Sequence, residues 1–195
     1  IKNPSELAQY IGTLLSQKKL KLVTVDPVPA AVFPNIPGAS EWFDCGLVTY
    51  SNESKTKLAG VPEELIRQQG AVSQKVALAM AKGALDATQG DIAISTTGLA
   101  GPGGGSLDKP VGTVCFGFAT RTGIFSTDKQ QFSGNRSEVR IKVSCIVCNV
   151  SAIISKQDIS DQTEKNNKKS PVDRAFSISG NNVISEQISS FCRFR

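Results

Sequence analysis

Few residue groupings in this chain could do chemistry, because it contains no histidine. Ser-His-Asp and Cys-His nucleophile arrangements are therefore excluded. Proton transfer falls to Lys, Tyr, Asp, Glu or a thiol. One candidate is Tyr50-Ser51-Asn52-Glu53-Ser54-Lys55, with a tyrosine at an expected strand end and a lysine about one helical turn on. Such a pair shuttles protons once desolvated. The competing reading, which spacing alone favours, is a capped helix start with a surface lysine. A second candidate is Ser95-Thr96-Thr97-Gly98-Leu99-Ala100-Gly101-Pro102-Gly103-Gly104-Gly105. Its glycines let successive backbone N–H groups turn toward one anion. It lacks the Gly-Lys-Ser/Thr of a Walker loop. Pro110-Val111 leads into a strand rather than the helix of a dinucleotide fingerprint. Here the alternative is a plain flexible connection. The third is Gly134-Asn135-Arg136, where an arginine at a helix start can hold a phosphate or carboxylate in bidentate fashion, or simply sit at a surface cap.

These groups need positioning elements. Asn3-Pro4-Ser5-Glu6 carries helix-start chemistry, and Leu7, Ile11, Leu14 and Leu15 share a face, so a helix over 4–17 is expected. Leu20 to Val25 reads as a strand. Pro27 to Pro37 holds four prolines and resists a helical reading. Leu47 to Tyr50 is a short strand candidate, followed by a helical turn toward Lys55 and a short helix over 62–68. Ser73 caps the strongest helix, with Val76, Met80, Ala84 and Ala87 in register, Val72 as a staple and Gly90 as its end. Asp91 to Thr96, Gly112 to Ala119 and Ile124 to Phe132 read as strands. The last two are joined by a hairpin at Thr120-Arg121-Thr122-Gly123. A helix begins near Ser137. Together these elements predict an α/β domain with a mixed sheet over 1–155. The polar, Lys/Asn- and Ser-rich stretch 156–195 reads as a poorly ordered tail.

At 195 residues, with 39% hydrophobic and 20% charged, the chain has the balance of one globular domain. No apolar run reaches the roughly 20 residues of a membrane span, so no membrane association is expected. A net charge of +5 suits an anionic ligand. The cations are dispersed and the aromatics do not interleave with them, so nucleic acid is a minor reading. The cysteines number five, an odd count. Cys145-x-x-Cys148 lacks a second pair, so structural thiols and no metal site are expected.

Taken in order, several segments resemble the CinA C-terminal domain family. They are Ile36-Pro37-Gly38-Ala39-Ser40-Glu41-Trp42-Phe43, Tyr50-Ser51-Asn52 with Lys55, Leu58-Ala59-Gly60-Val61-Pro62 and Gly70-Ala71-Val72-Ser73. They continue with Thr97 to Gly105, Lys109-Pro110-Val111-Gly112-Thr113-Val114 and Gly134-Asn135-Arg136. The likeness covers about 5–140. It implies a three-layer α/β/α fold and amide hydrolysis of nicotinamide mononucleotide to nicotinic acid mononucleotide and ammonia, without a cofactor or metal. It also implies a cytoplasmic homodimer. By the same resemblance, Tyr50, Lys55 and Thr97 take catalytic positions. Gly98, Ala100, Gly101, Gly103, Gly104 and Arg136 hold the 5′-phosphate.

One departure is decisive. The family places a serine nucleophile in Glu-Ser-Cys-Thr-Gly-Gly after the first strand. Here Asp26-Pro27-Val28-Pro29-Ala30-Ala31 follows Val25, with Pro27 where the serine belongs. Written as GAA TCC TGT ACC GGC GGC, the family motif becomes GAT CCT GTA CCG GCG GC on loss of one base, which encodes the observed residues throughout. A frameshift that recovers before Ile36 accounts for the lost serine. Ser51, Ser95 and Thr97 are the hydroxyls left to replace it. Resequencing the gene is expected to show the motif's codons displaced by one base. Codons for these prolines without that relic would refute the frameshift.

Overall fold

The computed structural model describes residues 4–147; the expected tail 156–195 and Cys148 lie outside the described residues. The strands with the most apolar sequence form the inside of the sheet. β1 (Leu22–Val25), β3 (Ile92–Gly98) and β4 (Thr113–Thr120) are buried almost throughout. β2 (Phe43–Leu47) and β5 (Phe125–Gln131) are partly exposed edges. The five strands lie in the order β2-β1-β3-β4-β5. β1 pairs in parallel with both β2 and β3, while β4 and β5 add antiparallel.

Side chains alternate across the pleat, so each inner strand feeds two cores. On one face, Leu22, Ile92, Ile94, Phe116 and Phe118 meet Leu7 and Ile11 of α1 (Pro4–Lys18) and Val139 and Val143 of α6 (Arg136–Val147). On the other, Val23, Val25 and Ala93 meet Ala59 of α3 (Asn52–Ala59), Ile66 of α4 (Glu63–Gln69) and Val76, Met80 and Ala84 of α5 (Gln74–Ala87). The result is the expected three-layer α/β/α architecture with a mixed sheet.

Three local expectations are corrected. The strand near Tyr50 is Phe43–Leu47 instead, because β1 ends at Val25, whose ladder partner is Leu47; residues 48–50 have no neighbouring strand to pair with. The proline-rich stretch does become helical, as the single turn α2 (Pro27–Ala30) and a 3₁₀ turn at Phe33–Asn35. In a one-turn helix the first N–H groups have no intrahelical partner, so proline removes nothing there. Gly90 does not end α5, which stops at Ala87 with Thr88 extended. A β-carbon at Gly90 would overlap Val23 Cγ2, so the glycine lets this loop lie against β1.

The end of α5 is held from the β4–β5 hairpin. Arg121 donates to the carbonyls of Leu85 (2.7 Å), Thr88 (2.5 Å) and Gly90 (2.6 Å). A cation at a helix C-terminus that also satisfies its open carbonyls is doubly favourable. Arg121→Met is expected to lower stability by about 2 kcal/mol with an unchanged denaturant slope, measured by urea unfolding.

Candidate functional site

In open α/β sheets, ligands sit at the carboxyl ends of parallel strands, where successive connections leave on opposite faces. Here that point is the end of β1. The connection from β1 to β2 carries α2 on the α1/α6 face, and the connection from β2 to β3 carries α3, α4 and α5 on the other. At this point Asp26 interacts with Lys55 of α3, Thr96 of β3 and Arg140 of α6, and Lys55 in turn bonds Thr49.

Asp26 is the first residue beyond β1. Its φ of +116° is a conformation that side chains rarely adopt. Its N–H donates to Leu47 O at 2.8 Å, which keeps it tied to the β1–β2 ladder. Its carboxylate accepts from Val28 N at 3.4 Å, at the start of α2. Burial raises its pKa from 3.8 to about 6, against the opposing pull of the Val28 N–H, Lys55, the Thr96 hydroxyl and Arg140. Lys55 lies on α3, whose start is fixed by a reciprocal cap: Ser51 Oγ accepts from Ser54 N and Ser54 Oγ accepts from Ser51 N, both at 3.0 Å. Lys55 is 5% exposed and donates to Thr49 O at 2.5 Å. Burial pushes its pKa down, and the charge of Asp26 pulls it back up. The Thr49 hydroxyl is buried without a hydrogen-bond partner.

Arg136 opens α6. Asn135 Oδ1 accepts from Ser137 N (3.0 Å) and Glu138 N (3.1 Å), and Glu138 Oε2 accepts from Asn135 N (2.7 Å). This cap aims Arg136 at the glycine loop. Its guanidinium donates to Gly101 O (3.1 Å) and reaches Tyr50 Oη (3.4 Å). Arg136, Tyr50 and Gly101 are thus brought together. Tyr50 is 77% exposed and shares no hydrogen bond with Lys55, so the two do not form the desolvated pair the spacing allowed.

The remaining site candidates divide. Gly98 lies in β3, closely packed on Val114 and Thr113. Ala100 packs against the α1/α6 core. Gly101 and Gly104 take positive φ, and Gly103 faces open space. Thr97 is 4% exposed and donates to Ala71 O at 2.9 Å on the α5 face of the sheet. Ser95 Oγ donates to Ala77 O on that face. Ser51 is spent on the α3 cap. None of the hydroxyls weighed as a replacement nucleophile is free in the crevice.

Sequence reasoning missed Asp26 as a site group. Its signal was an acidic residue directly after an apolar strand. Among the described residues, no cluster of His, Cys, Asp or Glu is close enough to hold a metal ion, and no helix is long and apolar enough to cross a membrane.

The Asp26 shift has a signed consequence. An acid whose pKa is higher folded than unfolded ionises first in the unfolded chain as pH rises. Asp26 therefore costs no stability below pH 3.8, and stability falls as pH climbs to about 6. Asp26→Asn is expected to remove this slope and to be more stable than the parent at pH 7 by about 1–2 kcal/mol, after discounting for partial solvation. Urea unfolding of both proteins from pH 4 to 7 measures it.

Comparisons with known proteins bear on the family and the fold. The profile of the CinA C-terminal domain matches residues 4–150, ten residues beyond the likeness read from motifs. Nicotinamide-nucleotide amidohydrolase PncC of Enterobacter agglomerans is 46% identical over 143 residues, 71% of this chain and 87% of that protein. The protein of the same name from Escherichia coli is 45% identical over 139 residues, covering 69% and 84%. The crystal structure of competence/damage inducible protein CihA from Agrobacterium tumefaciens superposes with a TM-score of 0.76 at 32% identity, covering 80% of this chain and 97% of that one. By matched profile, by relatives and by fold, the chain belongs to the CinA C-terminal domain family.

Proposed function

We propose that this chain binds nicotinamide mononucleotide in the β1 crevice and hydrolyses its amide far more slowly than a serine-bearing amidase. The observation that carries this reading is the commitment of each hydroxyl weighed as a replacement nucleophile. Ser51 is in a helix cap, and Ser95 and Thr97 donate to carbonyls on the α5 face. Pro27 stands where the nucleophile belongs.

The binding half draws on charge and shape. A guanidinium at Gly101 and a glycine loop form an anionic-group end. Lys55, the unpaired Thr49 hydroxyl and the Asp26 carboxyl form a polar end suited to a carboxamide beside a cationic ring. The Lys55 amine, with its pKa lowered by burial, is the group best placed to move a proton. The relatives named as nicotinamide-nucleotide amidohydrolases support the substrate class. The same reading carries with it a cytoplasmic homodimer.

Calorimetry with nicotinamide mononucleotide and an ammonia-release assay test the two halves. The chain is expected to bind the nucleotide while releasing ammonia about 10⁴-fold more slowly than the sextuple variant Asp26→Glu, Pro27→Ser, Val28→Cys, Pro29→Thr, Ala30→Gly, Ala31→Gly. Ammonia release within tenfold of that variant would contradict the catalytic half. Absence of binding would contradict the other.

A further inference from the structure

The corner between α4 and α5 has three successive carbonyls, each of which accepts from a side chain. Gln69 O accepts from Lys109 Nζ at 2.8 Å, Gly70 O from Ser73 Oγ at 3.2 Å, and Ala71 O from Thr97 Oγ1 at 2.9 Å. Ser73 in turn caps α5 through Val76 N. Thr97 and Lys109 are the two feet of the glycine loop, one directly before Gly98 and the other directly before Pro110. Both feet therefore stand on one short backbone segment, anchored on either side by Ile66 and Val76 in the core. Arg136 holds the middle of the loop at Gly101 O.

Lys109 does more than touch the corner. Its backbone closes the loop on itself, with Ser106 N donating to Lys109 O at 2.9 Å and Lys109 N donating to Ser106 Oγ at 3.2 Å. Its ammonium lies at the carboxyl end of α4, where the helix dipole and an open carbonyl both favour a cation. Gly70, with φ +74°, leaves room for it: a β-carbon there would sit 3.0 Å from Nζ. Leu107, near the loop's tip, is fully exposed. Without the Lys109 tether, the second foot keeps Thr113 Oγ1 on Pro110 O (2.7 Å) and Gln131 Nε2 on Val111 O (2.6 Å) but loses its link to the α4–α5 corner.

We propose that Lys109 is a positioning residue that fixes the glycine loop, through the Gln69 carbonyl, at the height where the loop's N–H groups receive the nucleotide phosphate. This rests on the binding half of the proposed function. Backbone donors act on an anion only when their directions are set beforehand, and a tether at the loop's foot sets them. The Gly70–Ser73 corner and the distant, neighbouring segments Thr97–Gly105 and Lys109–Val114 are thereby parts of one device.

The test uses the full chain as parent, Lys109→Met and Lys109→Arg. Calorimetry measures nicotinamide mononucleotide and nicotinamide riboside, which lacks the phosphate. Hydrogen exchange of the ligand-free proteins follows the amides of 100–106. Lys109→Met is expected to weaken the mononucleotide about tenfold, about the worth of one hydrogen bond, and the riboside less than about twofold. Exchange at 100–106 rises by about tenfold, the same free energy read as loop opening. Lys109→Arg recovers most of both effects. Equal weakening of the two ligands overturns the inference. So does weakening with unchanged exchange, which would make Lys109 a direct phosphate contact. A parent chain that binds neither ligand refutes the proposed function and the phosphate half of this inference, while the exchange comparison still decides the tether.

Discussion

Parallel pairing on both edges of β1 is the constraint from which the site follows. Val25 is held between Leu47 and Ser95, so the chain must leave the sheet at Asp26 with a partner strand on each side. The connection to β2 goes over one face, and the return through α3, α4 and α5 goes over the other. A crevice is left between them, with strand ends as its floor. Thr49, Lys55 and the β3 end are delivered to it by the connections that sheet order requires. Arg136 arrives from the far end of the chain because α6 packs on the α1/α6 core through Val139 and Val143.

Placing a carboxyl and an ammonium in such a crevice has an energetic cost. Burial drives the Asp26 pKa up and the Lys55 pKa down, so each is pushed toward its neutral form, while their mutual attraction opposes both shifts. A fold that tolerates this at a strand end, with Asp26 at φ +116°, spends stability where a ligand would sit. The family resemblance implies a serine at the next position, where this chain has Pro27. Here a one-turn helix of different sequence closes the connection. The scaffold keeps both cores because most of their residues lie outside this turn, which adds Val28 to the α1/α6 core beside the fully buried Phe33.

What the sequence revealed follows the range of the interaction. Ser73 and Ser51 announce their helices because a cap is decided within a few residues. β3, β4 and the β4–β5 hairpin are written in apolar runs and a turn. The proline-rich turn was misread because proline's cost depends on its place in the helix, and the helix was too short to show a period. Tyr50 and Lys55 are near in sequence, but the end of β1 frees the backbone between β2 and α3, so one points to solvent and the other inward. The Thr97–Ala71 and Lys109–Gln69 bonds span 26 and 40 residues and exist only once the α4–α5 corner is packed. The bond that occupies the Thr97 hydroxyl is therefore invisible in the sequence around the glycine loop.

Under the proposed function, recognition and bond breaking come apart in this chain. Nuclear magnetic resonance of nicotinamide mononucleotide mixed with the full chain reads both at once. The ³¹P signal is expected to shift and broaden as protein is added, while the ¹³C carboxamide signal stays unconverted over hours. A carboxylate signal growing on the timescale of minutes, or a ³¹P signal that never responds, would contradict it.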